Sequence, residues 1–227
     1  MRELTIDELL LMMQIKKKFY KFFLRFALSL CIMMFIIGLL GFTNGFFVAT
    51  ENAFWIKSTT ELPWGALGCI AVDHEGNIYL ASYFYYRIQK YSKDGKFISG
   101  WPAKDNNPRI RINEKNQLES ANDNQGHWGD RPDTLSVYDS DGNLLSDTVS
   151  DGCYVKFGTQ RSCKDINGNT YGLKNKFWNP YIVKMLPNTK TEIIHMPWYL
   201  WLFMGPFPAW LFLAIGLVGG WKAVDKM

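Results

Sequence analysis

Tight-turn signals recur at a fixed spacing through the middle of this chain, and that recurrence restricts the fold more than any other feature. Asp94-Gly95, Asp141-Gly142 and Pro187-Asn188 lie 47 and 46 residues apart. Each sits between two short strand-like runs: "IQKYSKDGKFIS", "LSVYDSDGNLLS" and "IVKMLPNTKTEII". Upstream of each comes a second hairpin pattern: "AVDHEGNIYLA", "IRINEKNQLES" and "CKDINGNTYGL". Asp-Gly or Gly-Asn between alternating runs marks a hairpin, because the central residues of such turns need positive φ. Two hairpins make four strands, and four strands in a period of about 40–50 residues predict propeller blades. The fold class expected is therefore mainly β: an incomplete β-propeller-like domain of three four-stranded units, near residues 62–101, 102–150 and 151–195.

The first unit carries Gly68, Ile70, Ala71, Val72 and Asp73, then Gly76-Asn77-Ile78-Tyr79, Ala81, Arg87-Ile88-Gln89-Lys90, Gly95 and Phe97. In these positions it resembles the NHL-repeat β-propellers. The likeness is good over 68–101, fair over 161–194 and poor over 109–146, where the turn reads "NEKNQ". Ser82 and Tyr85 stand where the family commonly has Asp and Asn, which weakens the usual polar tie in the turn between its second and third strands. The resemblance implies architecture more than activity, since such propellers bind proteins, RNA or small molecules and a few are enzymes. Propellers close with about 4–8 blades. Three blades leave two sheet faces to be covered, either by a second copy that completes a six-bladed ring or by a larger membrane complex.

Two uncharged stretches flank this region. "FALSLCIMMFIIGLLGFTNGFFV" covers 26–48, long enough as a helix to cross about 30 Å of hydrocarbon. It reads as an uncleaved anchor, because its basic flank and apolar core are longer than a signal peptide needs. "WYLWLFMGPFPAWLFLAIGLVGGW" covers 198–221 and contains Pro206 and Pro208. It reads as an aromatic interfacial turn followed by a second span, or as one kinked span. Lys16, Lys17, Lys18, Lys21 and Arg25 precede the first stretch, which places the N-terminus in the cytoplasm. The expected organisation is a cytoplasmic amphipathic helix over 1–25, the first transmembrane helix over 26–48 and an exoplasmic or periplasmic β domain over 49–197. The interfacial segment and second helix follow over 198–221, with a cytoplasmic tail over 222–227. The membrane is then a plasma (inner) membrane, and its lipid is an expected partner. Gly41-x-x-x-Gly45 and Gly216-x-x-x-Gly220 are candidate helix-packing positions.

Signs of chemistry are sparse. The net charge of +4 is small and concentrated near the N-terminus, which argues against nucleic acid as a partner. His74, His127 and His195 lack neighbours at ligand spacing, so no metal and no cofactor is expected. "DSDGN" at 139–143 and "DINGN" at 165–169 resemble calcium loops, yet the twelfth positions are Ser150 and Lys176, and tight turns explain both better. No nucleophile elbow or phosphate-cradling loop appears, and no catalytic residue is assigned. Cys153 and Cys163 close a short loop outside the membrane; they are either a disulfide or two buried thiols. "YFYYR" at 83–87 offers Tyr83, Tyr85, Tyr86 and Arg87 either as interface anchors or as blade packing, and Trp128 lies in a polar segment expected to form a rim loop. The function expected is a membrane-anchored binding or scaffolding protein, an accessory subunit or a homodimer. The alternative is a propeller-type lactonase or lyase.

Overall fold

The computed structural model describes residues 6–49, 59–64, 67–83, 85–103, 108–122, 133–150, 157, 160–176, 179–187 and 190–225. The chain divides into a helical unit, Met1–Phe42 with Pro206–Met227, and a β unit, Thr43–Gly205.

The β unit is built from twelve described strands: β1 (Leu67–Val72), β2 (Ile78–Ser82), β3 (Arg87–Tyr91), β4 (Phe97–Pro102), β5 (Arg109–Ile112), β6 (Leu118–Asn122), β7 (Thr134–Tyr138), β8 (Leu144–Val149), β9 (Ser162–Lys164), β10 (Thr170–Lys176), β11 (Asn179–Met185) and β12 (Thr191–His195). They form three separate four-stranded antiparallel meanders, β1–β4, β5–β8 and β9–β12, each with the topology of a propeller blade. Of the nine hairpins in these meanders, the six that the turn signals predict fall where those signals place them.

Five turns share one construction. Asp73, Asn113, Asp139 and Asp165 each accept the backbone N–H groups two and four residues on through a single side-chain oxygen, at 2.7–3.0 Å. Ser92 does the same with its hydroxyl. The residue three places on is left-handed: Gly76, Gly95, Asn116, Gly142 and Gly168 have φ of 88°, 78°, 59°, 89° and 80°. Only Gly, or Asn with its short polar side chain, holds that conformation cheaply, which is why the degenerate turn at Asn116 still forms.

Alternation along the strands of the first blade makes both of its faces apolar. Cys69, Ala71, Tyr79, Ala81, Ile88 and Trp101 face the second blade and meet Ile110, Leu118 and Tyr138. Ile70, Val72, Ile78, Leu80 and Tyr91 face the third and meet Tyr171 and Ile182. The first blade therefore lies between the other two. Its innermost strand, β1, packs against both β5 and β9. Ahead of β1, Leu62 and Trp64 are buried: the Gln89 side chain bonds both the N–H and the carbonyl of Leu62, and Trp64 Nε1 donates to the Tyr91 hydroxyl at 2.6 Å. The short helix α2 (Trp198–Met204) seals this side with Leu200 and Trp201.

In the helical unit, α1 runs unbroken from Ile6 to Ala49, so residues 6–25 and the following apolar stretch share one helix. Its segment Gln14–Gly41 is long and apolar enough to cross a membrane, a property a signal sequence shares. The segment 198–221 breaks at Gly205, which is extended (ψ 138°), and the helix α3 (Pro206–Asp225) starts after it. Its apolar portion, Pro208–Lys222, is shorter. α3 runs back along α1. A Cβ on Gly38 would lie 2.6 Å from the Leu213 nitrogen, and one on Gly216 would lie 2.7 Å from the Phe35 nitrogen, so only glycine permits this approach. Of the four glycines named from spacing, Gly216 makes the close contact. Gly220 makes an ordinary one and Gly41 is buried, while the surroundings of Gly45 lie outside the described residues. The close contact on α1 comes from Gly38, which the GxxxG spacing does not single out.

Candidate interaction surface

The outer blades have one face turned away from the first blade, and the two faces differ. On the second blade, Ala121 and Leu135 are covered by Phe157 from the connection to the third blade. The Arg111 guanidinium stacks on that ring at 4.1 Å and pairs with Glu119 at 2.7 Å. This covers part of one of the two faces that three blades were expected to leave open.

On the third blade, strand alternation sends Cys163, Tyr171, Leu173, Ile182 and Ile194 to the core. Tyr181, Val183, Met185, Ile193 and His195 consequently share the opposite face. Register sets Tyr181 beside His195, Val183 beside Ile193 and Met185 beside Thr191. The Tyr181 and His195 rings lie 5.7 Å apart. Met185 is 47% and Ile193 55% exposed. Lys174, paired with Tyr181, and Lys164, paired with Thr170, stand at opposite ends of this apolar stripe.

The residues singled out in "YFYYR" serve mainly inside the first blade. Tyr85 and Arg87 are buried, and the Arg87 guanidinium donates to the Gly100 carbonyl at 2.7 Å. Burial lowers the Arg87 pKa to about 10. The Tyr83 ring lies over Gly68, where a Cβ would collide with it. Tyr86 takes the left-handed conformation (φ 47°), and its carbonyl accepts from the Ala103 N–H at 2.8 Å. Alternation alone could not show this, because Tyr83, Tyr85 and Tyr86 lie in the connection between β2 and β3 and not in a strand. Trp128 and His127 lie outside the described residues.

The Cys153–Cys163 bridge is not formed: Cys163 is a free thiol, and Cys153 lies outside the described residues. Alternation explains the state of Cys163, since it points into the core between the first and third blades. Burial, with Asp165 nearby, pushes its pKa up to about 12. The thiolate is the reactive form. Alkylation of Cys163 at pH 8 is therefore expected to be roughly a hundredfold or more slower in folded than in denatured protein. Peptide mapping after timed iodoacetamide treatment measures this; equal rates would remove the assignment.

Among the described residues no group of three His, Cys, Asp or Glu side chains could hold a metal. The turn aspartates are instead committed to their own loops. Asp73 and Asp165 also accept from the hydroxyls of Tyr79 and Tyr171 at 3.1 and 3.3 Å, and from Asn77 and Asn169. Burial first, and then these carboxylates, raise both tyrosine pKa values. The second blade reverses the polarity of this tie: Asn113 donates to Glu119, which stands where the others have tyrosine. The signal was present in the sequence as Asp-x-x-Gly-Asn-x-Tyr in "DHEGNIY" and "DINGNTY".

No family model and no curated protein matches this chain. Among solved structures, it is similar to a streptogramin B lyase, with 8% identity and a TM-score of 0.31 over 63% of this chain and 44% of the other. It is also similar to a virginiamycin B lyase from Staphylococcus aureus, with 12% identity and a TM-score of 0.30 over 63% and 44%. A protein of unknown function from Bacteroides caccae shows 15% identity and a TM-score of 0.27 over 58% and 46%. The chain spans less than half the length of each. Likenesses at these scores carry no argument about the reaction. What the chain's own geometry defines is a mainly β protein of three blade-like sheets with an N-terminal apolar helix.

Proposed function

We propose that this protein is a membrane-anchored binding protein that holds a partner protein against the outer face of its third blade. It spans the membrane twice, with both termini in the cytoplasm and the β unit outside. The basic residues of α1 and the exposed Trp198, Tyr199 and Trp221 support that placement. The observation that carries the binding role is the apolar stripe of Tyr181, Val183, Met185 and Ile193 on the face of the third blade turned away from the core, with Met185 and Ile193 exposed. A surface of this kind, apolar at its centre and basic at its rim, suits a docking partner with apolar and acidic groups. A ring of two copies needs two open faces on each. With one partly covered by Phe157, a different partner or a two-fold dimer through the third blade fits better. The alternative of a lyase or lactonase has less support: His74 sits in the β1–β2 turn and His195 on the far face of the third blade.

A photo-crosslinking residue at Ile193 tests this in intact cells, with the same residue at Ile98 on the outer strand of the first blade as control. Position 193 is expected to give a discrete adduct that Ile98 does not, and Lys164→Glu with Lys174→Glu is expected to reduce its yield. Equal adducts from both positions, or none from 193, would discard the docking role.

A further inference from the structure

We infer that the helical unit binds one anionic phospholipid, with an acyl chain in the groove between α1 and α3 and its phosphate at Lys21 and Arg25. The groove has a volume of about 540 Å³ and is lined by Leu28, Ile32 and Phe35 of α1 and by Gly216, Leu217, Gly220, Trp221, Val224 and Asp225 of α3. Two glycines line it: Gly216 lets the helices approach, and Gly220, whose Cβ would meet only Cys31 Cβ at 4.0 Å, leaves room beside them. Leu28, Ile32 and Phe35 are separated by alternating steps of four and three residues, which is one stripe of a helix with about 3.6 residues per turn. Continued toward the N-terminus in the same steps, that stripe reads Arg25, Lys21 and Lys18, all exposed. The apolar groove therefore opens onto a row of cations, a separation of charge and hydrocarbon that matches a phospholipid with an anionic headgroup. Lys222 adds a positive charge at the end of α3, and Asp225 at the mouth opposes it. The lipid lies with its headgroup on the cytoplasmic side, so this inference rests on the two-span reading.

The test is native mass spectrometry of the full chain released from nanodiscs holding equal amounts of phosphatidylglycerol and phosphatidylcholine. One retained phosphatidylglycerol is expected. With two cations removed (K21Q with R25Q), the preference should fall by about thirtyfold to near parity, taking about 1 kcal/mol per cation. Gly220→Leu should abolish retention of both lipids without opening the helix pair, since a Cβ there meets only Cys31 Cβ at 4.0 Å. Asp225→Asn should raise the preference. Equal retention of both lipids by the unaltered chain, an unchanged preference in the double variant, or a protein dimer in place of bound lipid would each overturn the proposal. Failure of the two-span reading looks different: Asp225→Cys would then be labelled by a membrane-impermeant thiol reagent from the same side as Thr60→Cys.

Discussion

Leu80→Ala is expected to lower the stability of the β unit by about 2–5 kcal/mol, the cost of an unfilled cavity in a packed core. Leu80 is fully buried on the face of the first blade that meets the third, among Trp64, Tyr91, Tyr171 and Ile182. Both faces of that blade are covered, so its neighbours cannot relax inward without separating two sheets. Ile98, on the outer strand β4 of the same blade, is 46% exposed, and Ile98→Ala should change stability by no more than about 0.5 kcal/mol. Urea unfolding of the full chain in mild detergent, followed by near-ultraviolet circular dichroism, compares the two. Similar midpoints for both variants would mean that the first blade does not occupy the central position.

The second large effect separates backbone strain from collision. Gly76 and Gly142 occupy equivalent positions in their turns, with φ of 88° and 89°. A Cβ at Gly76 meets only Lys93 Cβ at 3.5 Å, whereas one at Gly142 would lie 2.5 Å from the Trp101 indole. Gly76→Ala should therefore cost only the left-handed conformation, about 1–2 kcal/mol. Gly142→Ala should cost about 1–3 kcal/mol more, because it drives a side chain into a packed ring shared by the first two blades. Trp101→Phe should recover part of the excess at Gly142 and none of the loss at Gly76. A double-mutant cycle reads that coupling directly. Additive losses would show that the turn of the second blade does not rest on Trp101.

The strands were legible because their determinants are local. Five hairpins are specified by an Asp, Asn or Ser that collects two N–H groups, a left-handed residue three places on, and flanking alternation. The break at Gly205 was signalled by Pro206. The fate of "YFYYR" was not legible: Tyr83, Tyr85 and Tyr86 lie in the connection between β2 and β3, and Tyr83 and Arg87 are placed against Gly68 and Gly100, which arrive from other strands. The 153–163 spacing likewise says nothing of strand direction, yet it is the inward pointing of Cys163 that buries its thiol.

Taken alone, the residue order determined the number of sheets, their meander topology, the turn chemistry and the apolar helix, since each depends on contacts within a few residues or one hairpin. Only the tertiary structure decided that the first blade is the middle one, that Phe157 packs on the second, and that the third keeps Met185 and Ile193 exposed. Those outcomes depend on which sheets meet. Blades of similar apolar pattern can stack in any order, so the choice falls to long-range complementarity, such as Trp101 against Gly142 and Gly95 against Ile194.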